Sequence, residues 1–179
     1  MELDRLFERE PWAEALSLLQ GWSAMALVDP AMQDDLQWRQ RLTGACRLRV
    51  PLLPSLLLGA AEPLEVARRL DLPGQQTKVL GQCRDLLAWL PEHTPPPGAP
   101  PSQWCRALEG SGWSAEAVVL AVCHRPAEWR LLLRWWGRWR HVRSPLTAAE
   151  LIDAGWSPGP GLGAELSRLR LQRIDQEGR

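Results

Sequence analysis

The sequence has no tyrosine, a single phenylalanine (Phe7) and a single lysine (Lys78). Its aromatic content is carried by 11 tryptophans and its positive charge by arginine. Arginine and tryptophan codons are GC-rich, so this bias is set aside as a functional signal. Long apolar runs are also missing, and none approaches the roughly 20 residues of a membrane-spanning helix. The opening Met1-Glu2-Leu3-Asp4-Arg5 is charged, with no apolar stretch and small-residue cleavage site behind it. No secretory signal is expected, and the expected location is cytoplasmic. β-branched residues are few and no segment alternates apolar and polar for long, which argues against strands. The four cysteines, Cys46, Cys83, Cys105 and Cys123, contain no Cys-x-x-Cys pair. That argues against zinc and, in a reducing compartment, against disulfides; buried structural thiols are expected.

Catalytic signatures are absent in the same way. There is no P-loop and no His-Glu-x-x-His. None of His93, His124 and His141 is followed by Asp, which removes His-Asp phosphohydrolase chemistry. Two-metal nucleotidyl transfer needs carboxylates at close, fixed spacing, normally on a strand behind a Gly-Ser turn. The Asp34-Asp35 doublet would point about 100° apart on a helix, and Gly110-Ser111-Gly112 has no acidic pair behind it. Gly155-Trp-Ser-Pro-Gly159 matches the G-x-S-x-G pattern of serine hydrolases. That chemistry uses the N–H of the residue after serine, and Pro158 has none. No catalytic residue, metal or cofactor is expected in this chain.

What is present is helical. With 179 residues, 45% apolar and 23% charged, the chain can bury one substantial core or two small ones. Leu3, Leu6, Phe7, Ala15, Leu16, Leu18 and Leu19 predict a stripe across two short helices broken near Pro11. The leucine-rich run 47–58 predicts a buried helix entered through Pro54. Helices follow over 63–70 and 75–90, the first opening on Pro63. The prolines of His93-Thr-Pro-Pro-Pro-Gly-Ala-Pro-Pro101 predict a linker or stiff loop. Ser102 and Ser114 are candidate caps for helices to Leu108 and Cys123, and a long helix is expected from Pro126 to about His141. Thr147-Ala-Ala-Glu150 is a capping-box pattern that Gly155 closes, and Pro160 starts the last helix. The expected fold is therefore all-α. It divides into a body-like region (1–93), a Pro-rich linker (94–101) and a tail-like region (102–179).

Net charge is zero but unevenly spread. Residues 1–100 carry 10 basic and 13 acidic side chains, and residues 101–179 carry 11 and 8. A polyanion would therefore meet the second half more readily. There, His124–Arg143 sets six arginines against one glutamate. Arg130, Arg134 and Arg138 recur every four positions and so share a helical face, spanning about 12 Å. Arg140 and Arg143 extend the group, and Arg168 adds a cation on the last helix. Guanidinium forks suit phosphate oxygens, although a solvated face on a core helix would carry the same pattern. The tryptophans between them suit packing better than base stacking. The Gly/Pro turn offers the second feature: Gly159, Pro160, Gly161 and Gly163 open a helix whose free N–H groups and dipole favour an anion. A tight corner that needs glycine for packing is the alternative.

The run from Leu146 to Asp175, L-T-A-A-E-L-I-D-A-G-W-S-P-G-P-G-L-G-A-E-L-S-R-L-R-L-Q-R-I-D, resembles the C-terminal signature of bacterial class II tRNA nucleotidyltransferases. This is the CCA-adding enzyme and poly(A) polymerase family. Leu52–Leu58, Val66–Leu72 and Met1–Val28 are similar to its helical body more loosely. The resemblance implies a helical body and tail that grip the upper half of tRNA by its backbone, and it touches Gly155, Gly159, Pro160 and Gly163. The family's sheet-containing head, its magnesium and the motif that selects nucleotides have no counterpart here. The chain alone is expected to be inactive and to depend on a separate or deleted catalytic head. Two other readings remain open: a helix-hairpin-helix DNA-backbone module, and a non-enzymatic scaffold using its tryptophan surface.

Overall fold

The computed structural model describes Phe7 and residues 11–177. Among them the regular elements are all helices: α1 (Trp12–Gly21), α2 (Met25–Val28), α3 (Pro30–Gln33), α4 (Trp38–Leu48), α5 (Leu52–Leu57) and α6 (Pro63–Arg69). They continue as α7 (Gly74–His93), α8 (Pro101–Gly110), α9 (Ala115–His124), α10 (Trp129–Gly137), a 3-10 turn (Trp139–His141), α11 (Ala148–Asp153) and α12 (Pro160–Glu177). The fold is all-α. Among the described residues no helix is long and apolar enough to cross a membrane. Leu3 and Leu6 of the expected N-terminal stripe lie outside the described residues.

The chain forms two compact units, one of Met1–Leu90 with Trp113–Leu132, the other of Pro91–Gly112 with Leu133–Arg179. This division is discontinuous, whereas the proline-based expectation was serial, with body 1–93 and tail 102–179. The reason is α9. Every residue from Ala117 to Cys123 is buried, so this helix is apolar all round and must be enclosed. It packs on α4 and α5 in the first unit. Ser114 caps it as expected, accepting from the Ala117 N–H at 3.2 Å.

Elsewhere in the first unit, the chain enters α5 through Pro51 rather than Pro54, which is buried inside the first turn. Arg47 and Leu48 instead finish α4, which ends on Arg49 in the left-handed conformation (φ 55°). The Asp34-Asp35 doublet is not on a helix, because α3 stops at Gln33. Asp35 pairs with the Arg41 guanidinium, which is only 2% exposed and also donates through Nε to the Ser55 carbonyl at 3.1 Å. A Cβ at Gly59 would land on this ion pair, so the close approach requires glycine there. Three cysteines are buried, but Cys46 is exposed, against the expectation for all four. On α4 it lies about 100° round the helix from buried Ala45, next to exposed Arg47.

The second unit is built around Trp104, Cys105 and Leu108 of α8, with Trp135, Trp139, Leu151, Leu162 and Ile174. Helix α12 packs on α8 and α11 on α12. Ser102 is not a cap: Pro100 holds that position and Pro101 is the first helical residue. The Ser102 N–H instead donates to Asp175 of α12 at 2.8 Å. Arg170 adds a second tie across the same helices. Its guanidinium meets both oxygens of Glu109 at 2.7 and 2.8 Å and the carbonyl of Val142 at 2.8 Å. The Glu109 hydrogen bond holds the arginine pKa above its ordinary value.

Candidate nucleic-acid interface

Helix α10 has sharply separated faces. Leu132 and Trp135 are buried, while Arg130 and Arg134, one turn apart, are exposed. The helix closes at Gly137, short of the expected His141. Arg138 stands just past the end with φ −133° and ψ −64°, its N–H still donating to the Arg134 carbonyl at 2.9 Å. Glycine weakens the helix at this point, and Trp139 turns into the core of the second unit at 2% exposure. The expected straight row of three arginines is therefore two on the helix and one at its end. Arg143 is exposed beyond the 3-10 turn.

Pairing separates these cations. Among the described residues Arg130, Arg134, Arg138 and Arg143 make no ion pair, whereas Arg168 is held by Glu165 at 2.7 Å. That hydrogen bond lowers the Glu165 pKa and raises the arginine's. Arg140 is half-buried: its Nε donates to the Trp136 carbonyl at 2.6 Å, and its Cζ lies 5.8 Å from the Trp136 ring centroid. Among the described residues of the second unit, the exposed arginines outside any ion pair are thus Arg134, Arg138 and Arg143, with Arg106 on α8.

The Gly/Pro corner forms as its sequence indicates. Both halves of the capping box are present between Thr147 and Glu150, and the Thr147 N–H and hydroxyl, donating to the Glu150 carboxylate at 2.7 and 2.8 Å, lower its pKa. Gly155 follows α11 at φ +100°. Its N–H reaches the Ile152 carbonyl at 2.9 Å, and that of Trp156 reaches Leu151 at 3.0 Å. This is the Schellman pattern, for which glycine is the unstrained residue. The start of α12 is less open than expected. Pro160 has no N–H, and the amides of Leu162 and Gly163 both reach the Gly159 carbonyl, at 3.1 and 3.4 Å. Gly159 and Gly161 keep amides without a backbone acceptor, so two donors remain at this corner. Gly159, Pro160, Gly161 and Gly163 are all exposed.

Sequence reasoning missed two arrangements. Arg41 and Asp35 are six positions apart across a loop, and nothing in their spacing marks the arginine as buried. The Arg170–Glu109 pair joins residues 61 positions apart. No group of three or more His, Cys, Asp or Glu side chains is placed to hold a metal ion among the described residues. No family model, curated protein or solved structure matches this chain.

Proposed function

We propose that this chain binds structured RNA, with tRNA as the reference partner, along the sugar-phosphate backbone. In this reading it is the helical body and tail of a tRNA nucleotidyltransferase-like protein. Nucleotide addition and its magnesium belong to a head outside these residues. The observation that carries the reading is the set of exposed, unpaired guanidiniums Arg134, Arg138 and Arg143. Exposed cations without carboxylate partners are available to phosphate oxygens at little desolvation cost, and arginine can engage them in pairs of hydrogen bonds. The resemblance of Leu146–Asp175 supports the choice of tRNA.

The test is a gel-shift series on the whole chain with tRNA and with duplex DNA of matched length. The expected result is a shift for tRNA that weakens steeply as salt is raised. Preference for the duplex would favour a helix-hairpin-helix DNA module, and salt-independent binding would remove the phosphate contacts. A scaffold reading has its own support in the first unit, where Trp22, Leu27 and Leu36 are 71%, 84% and 93% exposed. A stable oligomer by light scattering, with no shift of either nucleic acid, would favour that one.

A further inference from the structure

We infer that Arg125, Trp129 and Arg130 of the first unit form a binding site for a phosphomonoester dianion, the group carried by free phosphate or by a 5′-phosphorylated RNA end. The turn from α9 into α10 builds it. Arg125 follows His124 in the left-handed conformation at φ +55°, with its N–H on the Val122 carbonyl at 3.1 Å. Trp129 starts α10, its N–H on the Pro126 carbonyl at 3.0 Å. The reversal brings the Arg125 Cζ to 5.1 Å from the Trp129 ring centroid, and Arg130 lies 4.9 Å from the same centroid.

Two guanidiniums on one indole are at most about 10 Å apart, the sum of those distances. Both side chains are exposed, and neither forms an ion pair among the described residues. Glu128, the carboxylate between them in sequence, pairs with neither. The ring therefore gathers two guanidiniums that are in no ion pair among the described residues. A phosphomonoester carries about 1.5 to 2 negative charges at neutral pH, whereas each backbone diester carries one, so the charge favours the monoester. Contact with the ring limits the rotamers of both arginines before any ligand arrives, which lowers the ordering cost of binding. Arg125 keeps its guanidinium at a backbone conformation that glycine adopts without strain.

The site's charge and geometry stand alone; the inference rests on the RNA reading only for the source of the phosphate. The experiment has two arms on the full chain. In the first, fluorescence anisotropy compares a short 3′-fluorescein RNA bearing a 5′-phosphate with the same RNA bearing a 5′-hydroxyl. The phosphorylated form should bind at least about tenfold tighter, as expected for charge-assisted hydrogen bonds to an exposed group. That ratio should fall to near one in Arg125→Gln and Arg130→Gln. Arg125→Gly does the same while relieving the left-handed backbone, so a loss there is not a folding failure. In the second arm, calorimetry with inorganic phosphate should give heat for the native chain and none for the double Gln variant. A ratio of one in the native chain, or phosphate heat that survives both substitutions, overturns the site. Phosphate heat lost in the variants, with neither RNA bound, sustains the site and sinks the RNA reading instead.

Discussion

Removing the charge of Asp35 should destabilise the protein more than any surface substitution. Arg41 is 2% exposed and Asp35, itself 10% exposed, is its one carboxylate partner among the described residues. In Asp35→Asn the side chain keeps its size and one accepting oxygen, but the guanidinium is left without a counter-charge. Breaking a buried pair from one side costs about 3–5 kcal/mol. The Ser55 and Leu56 carbonyls still accept from Arg41, so the low end, about 3 kcal/mol, is expected. Adding Arg41→Met removes the orphaned charge and fills the space with a flexible apolar chain. The double variant should recover at least about 1 kcal/mol relative to Asp35→Asn. Gly59→Ala should act in the same direction, since its new methyl group falls on the pair. Urea unfolding followed by tryptophan fluorescence measures all of these. A loss below about 1 kcal/mol for Asp35→Asn, or a double variant weaker than the single, would refute the view that Arg41 depends on this partner.

Thiol chemistry and pH offer two further checks. Iodoacetamide should label Cys46 alone in the native chain and all four cysteines in denaturant. Burial raises the Cys83 pKa and pushes Cys105 and Cys123 up to about 12, which suppresses their thiolates; rapid native labelling of a second site contradicts the packing around α9 and α8. His124 has its pKa below the ordinary 6.5, first through burial and then through the Arg41 charge, with Asp35 acting in the opposite sense. Its Nδ1 is buried without a partner. The fold therefore favours the neutral ring, and the unfolded chain takes up the proton first. That stability is complete above 6.5 and is lost as pH falls through the lower folded value. The urea midpoint should drop between pH 7 and 5, and His124→Gln should flatten the drop; an unchanged profile would remove His124 as its cause.

Local signals were legible where the physics is local. The Thr147–Glu150 capping box, the Gly155 stop, the Ser114 cap and the Pro63 and Pro160 helix starts each involve residues within a turn of one another. The run 117–123 predicts a helix, and the structure shows it enclosed on every side. The prolines of 95–101 predict a serial boundary that puts this helix in the tail, whereas it belongs to the first unit. Proline marks where a helix cannot continue, not which core the next helix joins. The exposed side of α10 followed from its period, but its end did not. Whether a Trp-Gly-Arg-Trp run stays helical depends on where Trp139 finds its cavity, a tertiary matter. Ion pairing was equally invisible: Arg134 and Arg170 look alike in sequence, yet one is free and the other clamped by Glu109. The Gly159–Gly163 corner read as an anion cradle because free amides are the default at a helix start, whereas here the Gly159 carbonyl takes two of them.

If Arg134, Arg138 and Arg143 meet phosphates directly, as proposed, the salt dependence of tRNA affinity reports it. Each phosphate contact contributes roughly 0.7–0.9 to the slope of log affinity against log salt. Changing all three to Gln should lower that slope by about 2 to 3 and weaken binding at least tenfold near physiological salt, with helicity by circular dichroism unchanged. A triple variant that binds tRNA with the native slope would contradict the account.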